Sequence, residues 1–256
     1  MLIQLVADYG KGDLAFAETQ QQLLRFLPGS NIVTTSVAPF DTLAAGFIIA
    51  QLALNSGPQD ELIYHNVAPR FDDLDPRHDN AGEGLAAGRT KTGRWVVGPN
   101  SGYSFSFIYP HLQELRLVDV ADDGSQFRSR DVFPQTLPRL LDEAETLLGE
   151  KTKPNLPAPE NRVVYVDGYG NIKTTLTGSF ESGQRVLVQI GEAQSQAVIS
   201  DGSFAVGHGE LALAPGSSGW PGSEPSRFYE LFLRGASAAN LFANPDPGAA
   251  ITVIEI

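Results

Sequence analysis

The sequence predicts two domains of different class. The first is an α/β domain over residues 1–150, a parallel-type sheet with helices packed on it. The second is a small all-β barrel over residues 162–256, joined by a linker at 151–161. Three observations carry this reading. Strand-length apolar runs alternate with helix-length runs at the start of the chain. Helical periodicity fades after residue 150, where short apolar runs are separated by glycine-rich turns. Between the two lies K-T-K-P-N-L-P-A-P-E-N, whose prolines and charges are those of a linker.

Taken in order, residues 2–7 form an apolar strand broken only by Gln4 and ending at D-Y-G-K-G-D. Residues 14–27 follow as a helix anchored by Phe16, Leu23, Leu24 and Leu27, and Pro28-Gly29 stops it. Residues 32–37 are the next strand, a helix begins near Asp41, and Leu62-Ile63-Tyr64 is a third strand. In open parallel sheets ligands bind beyond the carboxyl ends of strands, and Asp8, Pro39-Phe40-Asp41 and His65-Asn66 fall at such ends. Residues 70–84 are a charged irregular loop, either a solvated insertion or a functional segment. Residues 84–90 and 94–98 flank Thr92-Gly93 as a hairpin that runs into G-P-N-S-G. A strand at 115–120, the segment F-R-S-R-D and a helix at 137–148 complete the first domain. In the second, strands are expected at 163–166, 172–176, 185–190, 196–199, 211–214, 229–233 and 251–256, with one or two helical turns at 236–241.

Composition narrows the function classes. A net charge of −12 argues against a non-specific nucleic-acid binder, which needs a basic face, and against an anionic membrane surface. The chain has no cysteine, which removes disulfides, thiolate metal sites and a cysteine nucleophile. Its four histidines, His65, His78, His111 and His208, show no helical metal-ligand spacing, so no metal site is expected. No apolar stretch approaches the ~18 residues of a membrane span, and a soluble cytoplasmic protein is the expectation.

Two stretches concentrate chemistry. In R-V-V-Y-V-D-G-Y-G-N-I-K-T-T, residues 162–175, two glycines force a tight turn that holds a carboxylate, a phenol and an amide within five residues. It is a decorated β-hairpin or a ligand-binding turn. The N-terminal V-A-D-Y-G-K-G-D is similar in kind, and its Asp8 either forms the turn or grips a ligand.

Six segments occur in order along nearly the whole chain: V-A-D-Y-G-K-G-D, S-V-A-P-F-D at 36–41, V-G-P-N-S-G at 97–102, F-R-S-R-D-V-F at 127–133, V-D-G-Y-G-N at 166–171 and E-L-F-L-R-G-A-S-A-A-N-L at 230–241. Together they resemble the S-adenosyl-L-methionine hydroxide adenosyltransferase family, which includes fluorinases and chlorinases. That family carries T-D-F-G, P-D-N-G or P-N-N-G, F-H-G-R-D, D-x-F-G-N and E-I-A…G-S-A-A. The resemblance implies an α/β domain plus a β-barrel and a homotrimer with ligand sites between subunits. It implies S-adenosylmethionine or adenosine as ligand, and no cofactor besides the substrate itself.

Residue by residue, the resemblance implies that Asp8 accepts from the ribose hydroxyls, as an ionised carboxylate can from two neighbours. Phe40 stands where fluorinases place a tryptophan against the ligand, or is a core aromatic. Asn100 stands where most members have Asp. Asp167 and Asn171 are implied to recognise the amine and carboxylate, and Tyr169 to offer a ring face to adenine. Ser226 and Arg227 resemble a pair near the methionine end, or are a solvated surface pair. Arg234 and Ala236 lie in the segment implied to read the adenine edge.

The sequence departs from the family where chemistry is done. The expected catalytic Asp is Asn66, the histidine of F-H-G-R-D is Arg128, and its glycine is Ser129, a residue that fluorinases share. Either Arg70 or Arg77 matches the arginine of the hydrolase segment, Arg77 being taken as the catalytic candidate. The implied reaction is displacement at the ribose C5′ carbon of a sulfonium, a good leaving group, by an aligned water. Arg128 with Arg70 or Arg77 supplies positive charge, and His65 or the Asp72-Asp73-Asp75 loop supplies an acceptor unless His65 is structural. Hydrolysis to adenosine and methionine is expected. The alternatives are a nucleoside-binding protein without turnover and a halogenase.

Overall fold

The computed structural model describes residues 1–67, 75, 82–120, 124–223 and 226–256. The described chain divides into two compact units, Met1–Ala158 and Pro159–Ile256.

The first unit is built on a seven-stranded sheet of order β2-β1-β3-β5-β4-β6-β7. Strands β1 (Leu2–Ala7), β2 (Asn31–Ser36), β3 (Glu61–Asn66) and β5 (Trp95–Pro99) run parallel. Strands β4 (Leu85–Thr90), β6 (Leu112–Val118) and β7 (Leu148–Lys151) are antiparallel to their neighbours. The expected parallel sheet is therefore a mixed one. The cause is local: the short Thr90–Arg94 connection, with Gly93 at φ 99°, makes a hairpin, and a hairpin can only be antiparallel.

Alternation along the strands sends side chains to two faces. Ile3, Leu5, Ala7, Leu62, Tyr64 and Val97 join a core with Phe16 and Leu23 of α1 (Leu14–Phe26) and Phe133, Leu137 and Leu140 of α4 (Phe133–Asp142). Helix α2 (Thr42–Leu54) packs on β1 and β3. It is buried nearly all round, at Leu43, Ala44, Ala45, Phe47, Ile49, Ala50 and Ala53, as a helix without a polar face must be. Asp13 and Asp41 cap the two long helices by accepting from Ala15 N (2.8 Å) and Ala44 N (2.9 Å). The short α3 (Arg128–Asp131) precedes α4.

The helix expected at 137–148 begins earlier, at Phe133, because Pro134 in the first turn lacks only an N–H that would have been unpaired anyway. It ends at Asp142, and Leu148–Lys151 becomes strand β7 on β6. Much of the expected linker is bound to the first unit: Asn100 Nδ2 donates to Lys153 O (2.9 Å), Asn155 Nδ2 to Asn100 O (3.0 Å) and Ser106 Oγ to Leu156 O (2.6 Å).

The second unit is a seven-stranded sheet of order β14-β10-β11-β12-β13-β9-β8. Its strands are β8 (Val163–Val166), β9 (Ile172–Thr174), β10 (Arg185–Ile190), β11 (Ala193–Ile199), β12 (Leu211–Pro215), β13 (Tyr229–Leu233) and β14 (Ile251–Glu255). All neighbours are antiparallel except β11 and β12. The sheet curls as a half-barrel, and its two ends meet at the Arg162–Ala250 bridge. Val163, Ile172, Val186, Val188, Leu213 and Leu231 fill its core with Ala238, Ala239 and Phe242 at and beside α5 (Ala238–Leu241).

Among the described residues no helix is long and apolar enough to cross a membrane.

Candidate functional site

In the first unit the carboxyl ends of β1 and β3 gather four of the residues singled out in the sequence. Asp8 follows β1, and its N–H donates to Asn66 O at 3.4 Å. Its Oδ2 accepts the Phe40 N–H at 3.0 Å. That bond holds an unusual turn. Asp41 N donates to Ala38 O (3.1 Å) across Pro39-Phe40, and Phe40 has φ 65°. Proline first and a left-handed residue second is the type II pattern, in which glycine is the favoured second residue. Here a phenylalanine takes the place, with its side chain exposed. The expectation that Phe40 is a core aromatic is thereby set aside.

Tyr9 is the centre of the cluster. Its hydroxyl lies 2.6 Å from Ser129 Oγ. Its ring meets Phe16 edge-on at 5.1 Å and Phe127 at 5.6 Å. Burial pushes the phenol up to about 12; the hydrogen bond with Ser129 offsets part of this, and the Asp8 charge adds to it. Ser129 is buried, and its carbonyl accepts the Tyr64 hydroxyl at 2.7 Å. Tyr64 and Asn66 lie two apart on β3 and so share a face.

His65, between them, faces the other way. It is fully buried, edge-on to Phe105 at 4.9 Å, against Gly98, where a Cβ would collide with its ring. Burial pulls its imidazole down to about 3. Among the described residues neither ring nitrogen has a hydrogen-bond partner. Of the two roles left open for it, the structural one fits.

Arg128 Nη1 donates to Glu83 O at 3.0 Å, and its guanidinium lies 4.9 Å from the Phe133 ring centre. Asn100 is buried, and its amide nitrogen is committed to Lys153 O, a bond that an aspartate could not donate. Arg70, Arg77, Asp72 and Asp73 lie outside the described residues.

In the second unit the hairpin β8–β9 carries the turn 167–171. Asp167 Oδ1 accepts the N–H groups of Tyr169 (2.9 Å) and Asn171 (3.0 Å), and Oδ2 accepts Asn171 Nδ2 (2.9 Å). Burial works against ionisation. It is outweighed by the Asn171 side chain, the two backbone donors and the Lys173 charge, which together hold the carboxyl below its ordinary range. Tyr169 is 85% exposed, a ring offered to solvent. Gly170, at φ 80°, lies against Ser237 where a Cβ would collide, and its carbonyl accepts Ala239 N at 2.9 Å. The turn and the segment containing Arg234 and Ala236 are thus brought together. Arg234 Nη1 is bound to Val206 O (2.6 Å), Ala236 N to Leu233 O (3.1 Å) and Arg227 Nη1 to Gly216 O (2.9 Å); Arg227 and Ser226 are exposed.

The sequence reading missed four participants. Tyr9 and Tyr64 organise the first cluster. Lys173 Nζ bridges Glu230 Oε2 (2.6 Å) and Asp167 Oδ2 (3.6 Å), and fully buried Glu230 also accepts from Ser218 N (2.7 Å) and Ser218 Oγ. The signal for Tyr9 was present, since D-Y-G adds one hydroxyl to the D-F-G of the family pattern. For Lys173 and Glu230 it was the unlike charges on strands whose pairing only the fold reveals. Among the described residues no cluster of His, Asp or Glu could hold a metal ion.

No family model matches the chain, and no curated protein matches it. Solved structures do. An uncharacterized conserved protein from Thermotoga maritima is similar over 98% of this chain and 99% of its own, with TM-score 0.77 and 18% identity. A conserved hypothetical protein from Thermus thermophilus is similar over 98% and 99%, with TM-score 0.70 and 19% identity. At such identities the likeness is one of fold: the chain shares a fold with these two proteins along nearly its whole length.

Proposed function

We propose that the protein binds S-adenosylmethionine and catalyses substitution at the ribose C5′ carbon, hydrolysing it to adenosine and methionine. In that step the C5′–S bond breaks, its electron pair neutralises the sulfonium, and a C5′–O bond forms to water, which gives up one proton. The observation that supports this reading is the gathering of Asp8, Phe40 and Asn66 at the carboxyl ends of β1 and β3, with Ser129 on the phenol of the adjoining Tyr9. A carboxylate, an exposed ring, an amide and a hydroxyl are the groups a nucleoside needs for its ribose hydroxyls and its apolar faces. The reading carries with it a homotrimer, measurable by light scattering. Purified protein incubated with S-adenosylmethionine is expected to release adenosine, seen by chromatography and independent of added chloride or fluoride. A chloride- or fluoride-dependent 5′-halo nucleoside would replace hydrolysis with halide transfer.

A second reading, a nucleoside-binding protein without turnover, is favoured by one observation. Asn66 is an amide, His65 faces away, and the Tyr9 phenol keeps its proton to about 12, so these three side chains offer no general base at neutral pH. Calorimetry separates the two: tight adenosine binding with no adenosine released from S-adenosylmethionine supports the binding protein. Asn66→Asp sharpens the choice. Restoring a carboxylate at that strand end is expected to raise adenosine release by roughly tenfold to a hundredfold if the site is poised for chemistry. No change in release would leave binding as the function.

A further inference from the structure

We infer that Glu230 is a positioning residue: its buried carboxylate holds the Lys173 ammonium back from Asp167, and so leaves one acceptor of Asp167 open to a donor of the bound nucleoside. The inference rests on the nucleoside-binding reading above. The geometry begins with strand register. Lys173 of β9 and Glu230 of β13 are directly paired, so their side chains meet across the sheet. Lys173 Nζ stands 2.6 Å from Glu230 Oε2 and 3.6 Å from Asp167 Oδ2. The first contact is a charge-assisted hydrogen bond, and the second is too long to be a hydrogen bond. Two carboxylates flank one ammonium, and the buried one holds it.

The lone pairs show what this leaves. A carboxylate has about four acceptor positions, two on each oxygen. Asp167 Oδ1 fills its positions with the N–H groups of Tyr169 and Asn171. Among the described residues Oδ2 accepts only Asn171 Nδ2. One position on Oδ2 therefore remains, on a side chain that is 20% exposed. On the same turn the Tyr169 ring is exposed, and Gly170 is fixed against Ser237 and Ala239. A rigid turn with an aromatic face and a spare anionic acceptor suits a nucleoside, whose N–H and O–H donors adjoin a flat apolar surface.

Glu230 is placed to keep its counter-ion. It is fully buried, and its Oε1 accepts from Ser218 N (2.7 Å) and Ser218 Oγ. Gly216 lies so close to the carboxylate that a Cβ would collide with it. Lys173 Nζ also donates to Ser217 Oγ at 3.3 Å. A carboxylate buried in this way cannot release the ammonium without standing uncompensated in the interior. Asp167 is partly exposed and already held by three hydrogen bonds, so it can do without a full ion pair.

Calorimetric titration with adenosine tests this on the full chain. Glu230→Gln keeps the shape and removes the charge, so the ammonium turns to Asp167 and fills the open position. Affinity is expected to fall about tenfold, the worth of one hydrogen bond to a charged group. Adding Lys173→Met removes the competitor, and the double variant is expected to bind within about threefold of wild type. A pair that serves only the fold gives the opposite order, with the double variant binding no tighter than Glu230→Gln, and that order overturns the inference. So does an unchanged affinity in a Glu230→Gln protein that thermal unfolding shows to be folded. If Glu230→Gln does not fold, carboxyl carbon-13 NMR of the wild type decides. Adenosine that shifts the Asp167 signal and leaves that of Glu230 in place supports the inference, and an unmoved Asp167 signal overturns it. A wild type that binds neither adenosine nor S-adenosylmethionine overturns both this inference and the nucleoside reading. A wild type that binds, with Glu230→Gln binding equally well, overturns this inference alone.

Discussion

The two ends of the first sheet solve opposite problems. At the amino ends of β3 and β5, Glu61 and Arg94 are buried as an ion pair, Nε to Oε2 at 3.1 Å. Both partners are further committed. Arg94 Nη1 donates to Ala53 O (2.9 Å) and Asn55 O (2.6 Å), carbonyls at the end of α2, and Arg94 Nε to Pro58 O (3.3 Å). Gln4 Nε2 donates to Glu61 Oε1 (3.0 Å). At the carboxyl ends of β1 and β3 the groups are neutral hydroxyls and an amide, beside one carboxylate and a backbone held at positive φ. Charge closes the helix at one end, and at the other neutral polar groups are arranged beside a single carboxylate. Stability is therefore expected to be sensitive at the amino end and function at the carboxyl end.

The largest expected effect tests the amino end. Arg94→Ala leaves Glu61 buried with its countercharge removed and the carbonyls of Ala53, Asn55 and Pro58 without this donor, which costs roughly 3–5 kcal/mol. Urea unfolding measures it, and the adenosine affinity of the fraction still folded is expected to be unchanged. Replacing both partners, Glu61→Leu with Arg94→Met, is expected to recover part of the loss, because the uncompensated charge is gone. A loss below about 1 kcal/mol in Arg94→Ala would show that the pair is no more than a surface bridge.

The next effect sharpens the comparison across the thickness of the sheet. His65 neighbours Asn66 in sequence but lies in the apolar layer, its imidazole pulled down to about 3 by burial. In the unfolded chain the ring takes a proton near pH 6.5. Between these values the unfolded state carries the extra proton, so stability is whole above pH 6.5 and falls as pH drops towards 3. The contribution is on the order of 5 kcal/mol across that window, at about 1.4 kcal/mol per pH unit. His65→Leu is expected to flatten this part of the stability profile relative to wild type. Equal slopes in the two proteins would mean that the ring protonates in place.

How much of this was legible beforehand follows from the range of the forces involved. Most strand positions of both units, the start of α2 near Asp41 and the turn at 167–171 could be read directly, because apolar period and turn chemistry are local. Asp8, Phe40 and Asn66 could be placed at strand ends for the same reason. The strand at Leu148–Lys151 and the anchoring of Lys153 and Leu156 could not, because each depends on a partner far along the chain. Tyr9 with Ser129 is the same case, a bond across 120 residues. His65 is instructive in another way. Its position at a strand end left a functional and a structural role open, and one residue of alternation puts it in the apolar layer.

The smallest effect is the most specific to the carboxyl end. Phe40 occupies a left-handed position that costs a non-glycine residue about 1 kcal/mol, and its ring gains little burial in return. The Asp8 carboxylate holds this residue by its backbone N–H, a bond that any non-proline residue keeps. Phe40→Gly is therefore expected to leave the turn in place and raise stability by roughly 0.5 kcal/mol, the relief of strain exceeding the added freedom of the unfolded chain. Phe40→Ala keeps the strain and loses the ring, so it is expected to show no such gain. Both variants are expected to weaken adenosine binding by up to about tenfold, the worth of one aromatic contact. Thermal unfolding and calorimetry on the same samples read both numbers. A glycine variant that is more stable and binds more weakly shows that the strained turn exists to present the ring. One that binds as well as wild type would move Phe40 out of the site and leave the turn as a feature of the fold alone.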